Sequence, residues 1–412
     1  VGTDRRAQLD LAAQPGRWRV ALVQRLAKAG GGYDDIGKIA RLDIGQRIDL
    51  PRAARDIADA GVLALAHTVC ALETQGAMIL EQRCAKLQFR RRGNGSDRAE
   101  IGRPAIIGGG RAGGDALVAR GDRVSVLDNL SSGSLDFLAG VRGSIEFHEL
   151  DLLDEDFDAH LADVDIVWHL SANPEVRTGI DAPEVMFRQN VDATRRVIEA
   201  MARCGVRDLV FTSTSTVYGE ASVVPTPEEY EPLAPISAYG QSKLEAEQLI
   251  ERFCKEEDGR AISFRFANCV GPRSNHGVTF DFFHKLRADS GALEILGDGK
   301  QFKSYFHVAD CIAGMLAVAP AETCPGGGFA ALNVGSEDGI DVVTVADAVC
   351  EALGLANVEY RFTGGVDGGR GWKGDVKRML LVVEKLKGFG WEPQFGSRAA
   401  ICDTAQWLDE NY

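Results

Sequence analysis

Tyr239 and Lys243 are four residues apart in a segment with helical spacing, so both side chains project from one helix face. This pairing has a chemical use, because an ammonium one turn from a phenol stabilises the phenolate and lowers the tyrosine pKa from about 10 towards the working pH. A hydroxyl at the end of the preceding apolar run, Thr214 or a neighbour, could hydrogen-bond the same substrate oxygen. Together these side chains predict a base that takes the proton of an alcohol while a hydride leaves its carbon.

Short apolar runs alternate with helical stretches along the part of the chain that holds these residues. Such alternation predicts a doubly wound parallel α/β sheet of Rossmann type, in which ligands lie at the carboxyl ends of the strands. The predicted strands are Ala105–Ile107, Arg123–Leu127, Ile145–Glu149, Asp165–Leu170, the run that ends at Val210 and Phe211, and Ala261–Phe266. Thr214 falls just after one of these runs, where the ligand is expected.

Composition excludes several classes of protein. The 412 residues are 45% hydrophobic and 26% charged, which is typical of soluble domains, and no apolar run reaches the roughly 18 residues of a membrane span. The net charge of -14 argues against a nucleic-acid partner. The nine cysteines are odd in number and lack any C-x-x-C pair, which argues against a disulfide framework or a zinc site. We therefore expect a cytoplasmic protein without a metal.

Charge divides the chain near Arg103. Residues 1–103 carry 18 basic and 12 acidic side chains, whereas the remainder carries 28 and 48. The first segment fits a helical extra domain, a disordered basic extension, or residues that do not belong to the natural protein. We favour a poorly ordered or loosely helical extension, and we expect it to be dispensable for the chemistry.

Three motifs beyond residue 103 carry a family resemblance. Ser213–Gly219 reads S-T-S-T-V-Y-G, Tyr239–Glu247 reads Y-x-x-x-K-x-x-x-E, and Lys303–Val308 reads K-S-Y-F-H-V. With 25 positions from Thr214 to Tyr239, the pattern resembles the extended short-chain dehydrogenase/reductase family. Within it, the chain is most similar to NAD-dependent nucleotide-sugar epimerases and dehydratases, the UDP-glucose 4-epimerases in particular. The resemblance covers residues 104–412. It implies an NAD-binding domain at 104–265 and a smaller, mainly nucleotide-sugar-binding region at 266–412.

The glycine loop is the weakest part of the resemblance. The family has G-x-x-G-x-x-G before a helix of about four turns, where glycines let the backbone approach a pyrophosphate. Here Gly108, Gly110 and Gly113 stand in a shortened stretch, and the helix predicted at Asp115–Arg120 spans under two turns. We expect impaired NAD affinity, which a restored loop and helix should raise by about an order of magnitude.

Other strand ends match the family's cofactor contacts. Asp128 would accept hydrogen bonds from the adenosine ribose and repel a 2′-phosphate, which favours NAD over NADP. The resemblance implies that Asn190 ties its helix to neighbouring strands. The further cofactor residues that it implies are Asn129, Asp151, Leu152, Leu170, Ser171, Ala172, Asn190, Tyr239, Lys243 and Phe266.

The resemblance also implies a UDP-sugar partner and a homodimer. Lys303 stands where the family usually has an arginine that binds phosphate, and Arg370 lies where a diphosphate-clamping arginine is expected. The substrate residues that it implies are Thr214, Asn268, Gly277, Val278, Lys303, Arg370 and Asp375.

The implied reaction is epimerisation at C4 of a nucleotide sugar, of the UDP-glucose/UDP-galactose type, through a transient 4-keto sugar. Dehydratases of the family carry an acidic pair where Ser215 and Thr216 stand, which disfavours elimination. A dehydratase or decarboxylase stays an alternative. So does a nucleotide-sugar-binding protein with impaired catalysis, because the glycine loop is degraded.

Overall fold

The computed structural model describes residues 103–107, 111–131, 134–174, 179 and 182–412. The predicted basic extension, apart from Arg103, lies outside the described residues, and so do Gly108 and Gly110. No helix in the described part is long and apolar enough to cross a membrane.

The strands of the described part follow the predicted alternation with helices. They are β1 (Pro104–Ile107), β2 (Val124–Asp128), β3 (Ile145–Glu149), β4 (Ile166–His169), β5 (Asp208–Thr214), β6 (Arg260–Phe266), β7 (Asn268–Val270), β8 (Ala292–Ile295), β9 (Phe302–Lys303), β10 (Tyr305–His307), β11 (Gly328–Val334), β12 (Ile340–Asp341), β13 (Glu359–Phe362) and β14 (Arg378–Met379). Seven of them form one parallel sheet in the order β11-β6-β5-β4-β1-β2-β3. The strand order reverses beside β1, so the expected ligand crevice lies outside the carboxyl ends there.

The α-helices of the described part connect these strands. They are α1 (Arg111–Arg120), α2 (Asp158–Leu161), α3 (Pro183–Phe187), α4 (Ala193–Cys204), α5 (Ala238–Glu256), α6 (Val278–Ala288), α7 (Val308–Leu316), α8 (Pro320–Thr323), α9 (Val342–Ala352), α10 (Glu384–Lys387) and α11 (Ser397–Asn411). A π-helical turn, Arg188–Asp192, joins α3 to α4.

Both faces of the main sheet are buried, which explains why its strands read as short continuous apolar runs. Ile106 of β1 packs with Val126 and Val210 on one face. Its neighbour Ile107 points the other way and packs with Leu127. The doubly wound α/β fold is therefore confirmed.

The C-terminal part forms its own hydrophobic cluster but also completes the main sheet. Phe282, Leu293, Val349 and Ile401 pack together there. The C-terminal helix α11 begins at Ser397 and buries Ile401, so one of its faces belongs to this core. β11 leaves this region and pairs with β6 along its whole length.

Candidate functional site

Thr214 is the last residue of β5, in the row of strand ends where a ligand is expected. Its backbone is extended and begins the 3₁₀ turn Ser215–Tyr218, and its Oγ1 accepts a hydrogen bond from the Thr216 amide at 3.2 Å. The Thr216 hydroxyl lies 3.1 Å from the same oxygen. The turn therefore holds the Thr214 side chain at the carboxyl end of the sheet.

Tyr239 is the second residue of α5, whose N-cap is Ser237. Ser237 Oγ accepts a hydrogen bond from the Gly240 amide at 3.1 Å. Gly240 allows the helix to approach the 3₁₀ turn closely, because a Cβ there would lie 2.9 Å from the Thr216 carbonyl oxygen. As a result, the Tyr239 side chain lies close enough to Thr214 for the Thr214 hydroxyl to act on its pKa.

Lys243 lies one turn further along α5 and is 2% exposed. Its Nζ lies over the ring of Phe211 in β5, and no hydrogen-bond acceptor contacts it among the residues that the structure describes. Burial lowers the pKa of Lys243 to about 7, although nearby Glu247 raises it. The site therefore holds an amine that can be neutral or charged near neutral pH.

The expectation that Lys243 lowers the pKa of Tyr239 is wrong for the protein alone. Burial raises the Tyr239 pKa to about 12, and only the hydrogen bond with Thr214 opposes this effect. Desolvation disfavours the phenolate more than this neutral hydrogen bond favours it. A tyrosine base in this pocket needs a further positive charge beside it.

The cofactor residues predicted after β4 lie at the end of β1. The amides of Leu170 and Ser171 both donate to the Ile107 carbonyl, at 2.9 and 2.7 Å. Ala172, half-buried, follows directly. The backbone of this segment therefore runs past the carboxyl end of β1.

Asn190 is buried within the π-helical turn and accepts a hydrogen bond from the Asn173 amide at 2.7 Å. Its Nδ2 donates to Ser242 Oγ of α5 at 3.0 Å. It therefore ties its helix to the segment after β4 and to α5, instead of to strands as predicted. A π-helical turn costs regular hydrogen bonding and is frequent at functional sites.

His169, the last residue of β4, was not singled out from the sequence. It is fully buried between Thr194 Oγ1 at 2.9 Å and Ser171 Oγ at 3.1 Å. Burial, and to a lesser extent the charge of Lys243, lower its pKa to about 3. His169 is therefore a neutral, buried residue that supports the segment after β4, and it is recognisable only once the strand ends are aligned.

The adenosine side of the predicted cofactor site is assembled at β2 and β3. Asp128 ends β2 half-buried, and its Oδ1 accepts from the Leu130 amide at 2.7 Å. Asn129 Nδ2 donates to Asp151 Oδ2 at 2.9 Å. The Leu153 amide and Asn129 hold the pKa of Asp151 below its ordinary value. Leu152, by contrast, packs its side chain into the core.

The helix after the glycine loop is longer than predicted. It begins at Arg111 instead of Asp115, and its ten residues include Gly113 in the first turn. Ala116 and Leu117 anchor it against the sheet. The helix expected to span under two turns therefore spans nearly three.

Phe266 ends β6 and packs, partly buried, beside Phe306 at 5.8 Å between ring centroids. Asn268 opens β7, and its amide donates to the Ser304 carbonyl at 3.2 Å. Gly277, with φ +89°, precedes Val278 at the start of α6 and brings no capping side chain. Gly277 therefore does not cap the first amides of α6 with a side chain.

Three predicted substrate residues meet in one cluster. Lys303 Nζ lies 2.5 Å from Asp375 Oδ1, and Arg370 Nη1 donates to the Asp375 carbonyl at 2.9 Å. Arg370 also donates to the carboxylate of Glu220, the residue after Tyr218-Gly219. The cluster therefore joins the C-terminal region to the turn that follows Thr214.

A buried polar network behind the site was missed from the sequence. Arg265 of β6 forms an ion pair with Glu247 of α5 at 2.7 Å and donates to Tyr218 OH at 3.1 Å. Tyr218 in turn donates to Asn333 of β11 at 2.7 Å. The motif residues Tyr218 and Glu247 thus fasten α5 and the 3₁₀ turn to the sheet.

His307 of the K-S-Y-F-H-V motif is structural. Its Nδ1 accepts from the Ala309 amide at 3.1 Å and so caps α7. Its Nε2 lies 2.9 Å from Asp403 Oδ2. These contacts fix the helix that follows β10.

Comparisons with known proteins agree on one family. The model of the "NAD dependent epimerase/dehydratase family" matches residues 107–335. The UDP-glucose 4-epimerase of Streptomyces lividans is 31% identical over 311 residues, 71% of this chain and 90% of that protein. A crystal structure of a UDP-galactose 4-epimerase is 41% identical, covers 75% of this chain and 99% of its own, and has a TM-score of 0.65. The UDP-glucose 4-epimerase of Thermus thermophilus in complex with NAD is 28% identical, covers 74% and 99%, and has a TM-score of 0.64.

Proposed function

The chain belongs to the NAD dependent epimerase/dehydratase family, and from that premise we propose that it epimerises a UDP-sugar at C4, of the UDP-glucose/UDP-galactose type. One observation carries the proposal: Thr214 stands at the carboxyl end of β5 beside the first turn of α5, which carries Tyr239 and, one turn further on, the buried Lys243. This is the arrangement that removal of an alcohol proton requires.

The donor set at the sheet edge fits NAD. Lys243 Nζ has no hydrogen-bond partner among the described residues, so it can donate to ribose hydroxyls. Asp128 presents a carboxylate at the end of β2, where the second ribose is expected. When bound, oxidised NAD supplies a hydride acceptor and a positive charge beside the base.

The chain's own groups then handle the proton. The neighbouring hydroxyls of Thr214 and Tyr239 can both contact the oxygen at C4 of the sugar. Tyr239 would take the proton from this oxygen as the attached carbon, C4, gives up its hydride to the acceptor that bound NAD would supply, which leaves a 4-keto sugar. After the ketone has turned over in the site, the same hydride would return to the other face of C4, and Tyr239 would give the proton back to the oxygen. The cycle needs no external redox partner.

Electrostatics determines when Tyr239 can act as a base. Its pKa of about 12 keeps it protonated in the protein alone. A charged Lys243 and a positive charge in the cofactor site both favour the phenolate. Proton removal is therefore coupled to cofactor binding.

Elimination of water is the second candidate, and the site favours it less. Ser215 and Thr216 offer hydroxyls where an acid–base pair is needed, and the Thr216 hydroxyl is already engaged with Thr214. Neither group is acidic enough to protonate a leaving hydroxyl at neutral pH.

We extend the proposal to the organisation of the protein. Residues 104–265 mainly hold NAD, residues 266–412 mainly hold the UDP-sugar, and the chain acts as a cytoplasmic homodimer. The free thiols of the seven described cysteines suit a reducing compartment. Light scattering on the purified protein tests the dimer.

Turnover and cofactor content test the function together. Purified protein should convert UDP-galactose to UDP-glucose and release NAD on denaturation, measured by chromatography and absorbance. UDP-sugars with a 2-acetamido group or a 6-carboxylate serve as competing substrates. Preferred turnover of one of these would replace the substrate assignment. NAD and UDP-sugar binding without any turnover would instead favour a binding protein.

A further inference from the structure

Glu220 follows the 3₁₀ turn that begins at Thr214. Gly219 before it has φ +64°, and a Cβ there would lie 1.9 Å from the Ala234 carbonyl oxygen. Only glycine fits this turn. The backbone therefore sends Glu220 out of the buried turn in a defined direction, and its side chain is 41% exposed.

The Glu220 carboxylate receives two donors from the C-terminal region. Its Oε1 accepts from Arg370 Nη1 and, at 3.2 Å, from the Lys377 amide. These bonds hold the pKa of Glu220 below its ordinary value, with the Arg370 contact as the largest cause. The carboxylate is therefore ionised and held between a guanidinium and a backbone amide.

Arg370 keeps one edge of its guanidinium for another partner. Nη1 donates to Glu220 and to the Asp375 carbonyl, which uses both of its N–H groups. Nε and Nη2 carry three further N–H donors, and no acceptor contacts them among the described residues. A planar fork fixed on one side and open on the other suits bidentate binding of a phosphate.

The surrounding charges fit the same ligand. Lys303 Nζ bridges to Asp375 Oδ1, and the Asp375 side chain also accepts from the Gly371 amide at 3.2 Å. The carboxylate of Asp375 thus holds the lysine while its carbonyl holds the arginine. Lys303 and Arg370 therefore present two positive charges together. An acidic residue orients each of them and can stay in place when a phosphate binds.

We propose that Glu220 is a positioning residue, which orients Arg370 so that its open edge binds the diphosphate of the nucleotide sugar. It does so from the turn that begins at Thr214, so the diphosphate site and the site of proton removal share one rigid segment. This inference rests on the proposed function.

UDP binding to the full chain tests the inference without any turnover. We expect Glu220→Ala to raise the UDP dissociation constant about tenfold by calorimetry, and Glu220→Gln, which keeps an acceptor, to raise it about threefold. With UDP-sugar, the loss should fall mainly on KM instead of kcat. Glu351→Ala removes a comparable glutamate–arginine pair, with Arg398, and should leave UDP binding unchanged.

A double-mutant cycle separates positioning from a general structural effect. In an Arg370→Ala background, Glu220→Ala should have no further effect on UDP binding. Additive losses, unchanged affinity in Glu220→Ala, or tighter binding would each overturn the inference. UDP binding by the wild type without epimerase turnover would overturn the proposed function alone, whereas no UDP binding would overturn both.

Discussion

Lys243 Nζ of α5 lies 4.4 Å from the centroid of the Phe211 ring in β5. The aromatic face offers a buried ammonium some electrostatic compensation, but less than a carboxylate at contact distance would. The low pKa of this amine shows that desolvation wins at the site. Desolvation of this amine therefore destabilises the protein without ligands, and only bound ligands offset that free energy.

Lys243→Met should stabilise the protein at pH 7. The folded pKa of about 7 lies below the ordinary 10.5, so the unfolded chain binds more protons between these values. Stability is therefore lost as pH falls from 10.5 to 7. We expect the variant to gain about 1–3 kcal/mol at pH 7 by urea denaturation, and less near pH 10. Lys255→Met, exposed on the same helix, should show no such pH-dependent gain. Equal stability of Lys243→Met and wild type at pH 7 would contradict the prediction.

Tyr239→Phe should abolish turnover while UDP-sugar affinity stays within a few fold. The change removes one hydroxyl and leaves the ring in its place, so only proton transfer is lost. Steady-state kinetics and calorimetry measure the two effects separately. Turnover close to that of the wild type would show that Tyr239 is not the base.

Asp128 should make the protein prefer NAD to NADP by about tenfold or more, because its carboxylate repels a 2′-phosphate. In Asp128→Ser the ratio of the NADP to the NAD dissociation constant should fall, mainly because NADP binds more tightly. Calorimetry with NAD and with NADP compares two ligands that differ only by the 2′-phosphate. NADP binding to the wild type as tight as NAD would rule out the role.

Glu247→Ala should destabilise the protein by about 3–5 kcal/mol, because it leaves the buried Arg265 guanidinium without its partner. The same change should loosen Tyr218 and the 3₁₀ turn. Glu251→Ala, on the exposed side of α5, should change stability by about 0.5 kcal/mol or less. Chemical denaturation of the two variants side by side checks this, and similar losses would mean that the pair contributes little.

Local pattern predicted the sheet well. β3 has the predicted bounds, the strand predicted to end at Phe211 runs on to Thr214, and the other predicted strands shift by one residue at their ends. Parallel strands that are buried on both faces read as continuous apolar runs, and such runs are easy to recognise in a sequence. The predicted start of α1 was wrong because Gly113 and Gly114 lower the helical propensity before Asp115, whereas packing of Leu117 on the sheet overrides propensity.

Long-range polar contacts could not be predicted in this way. Glu247 and Arg265 are 18 positions apart, and Tyr218 is 115 positions from Asn333, so no local period links them. The predicted direction of the Tyr239 pKa shift was wrong for a related reason. Spacing places Lys243 one turn away, but only the packed structure shows how strongly burial opposes ionisation.

β11 has a consequence for how this protein can be divided. Every residue of Arg260–Phe266 is paired with one of Gly328–Val334, which lies far beyond the last strand of the predicted NAD domain. A fragment that stops at residue 265 would leave β6 as a long apolar edge with unpaired amides and carbonyls, and such edges promote aggregation. The cofactor half is therefore not a transferable module. A chimera that exchanges it between relatives has to carry a matching seventh strand from the other half.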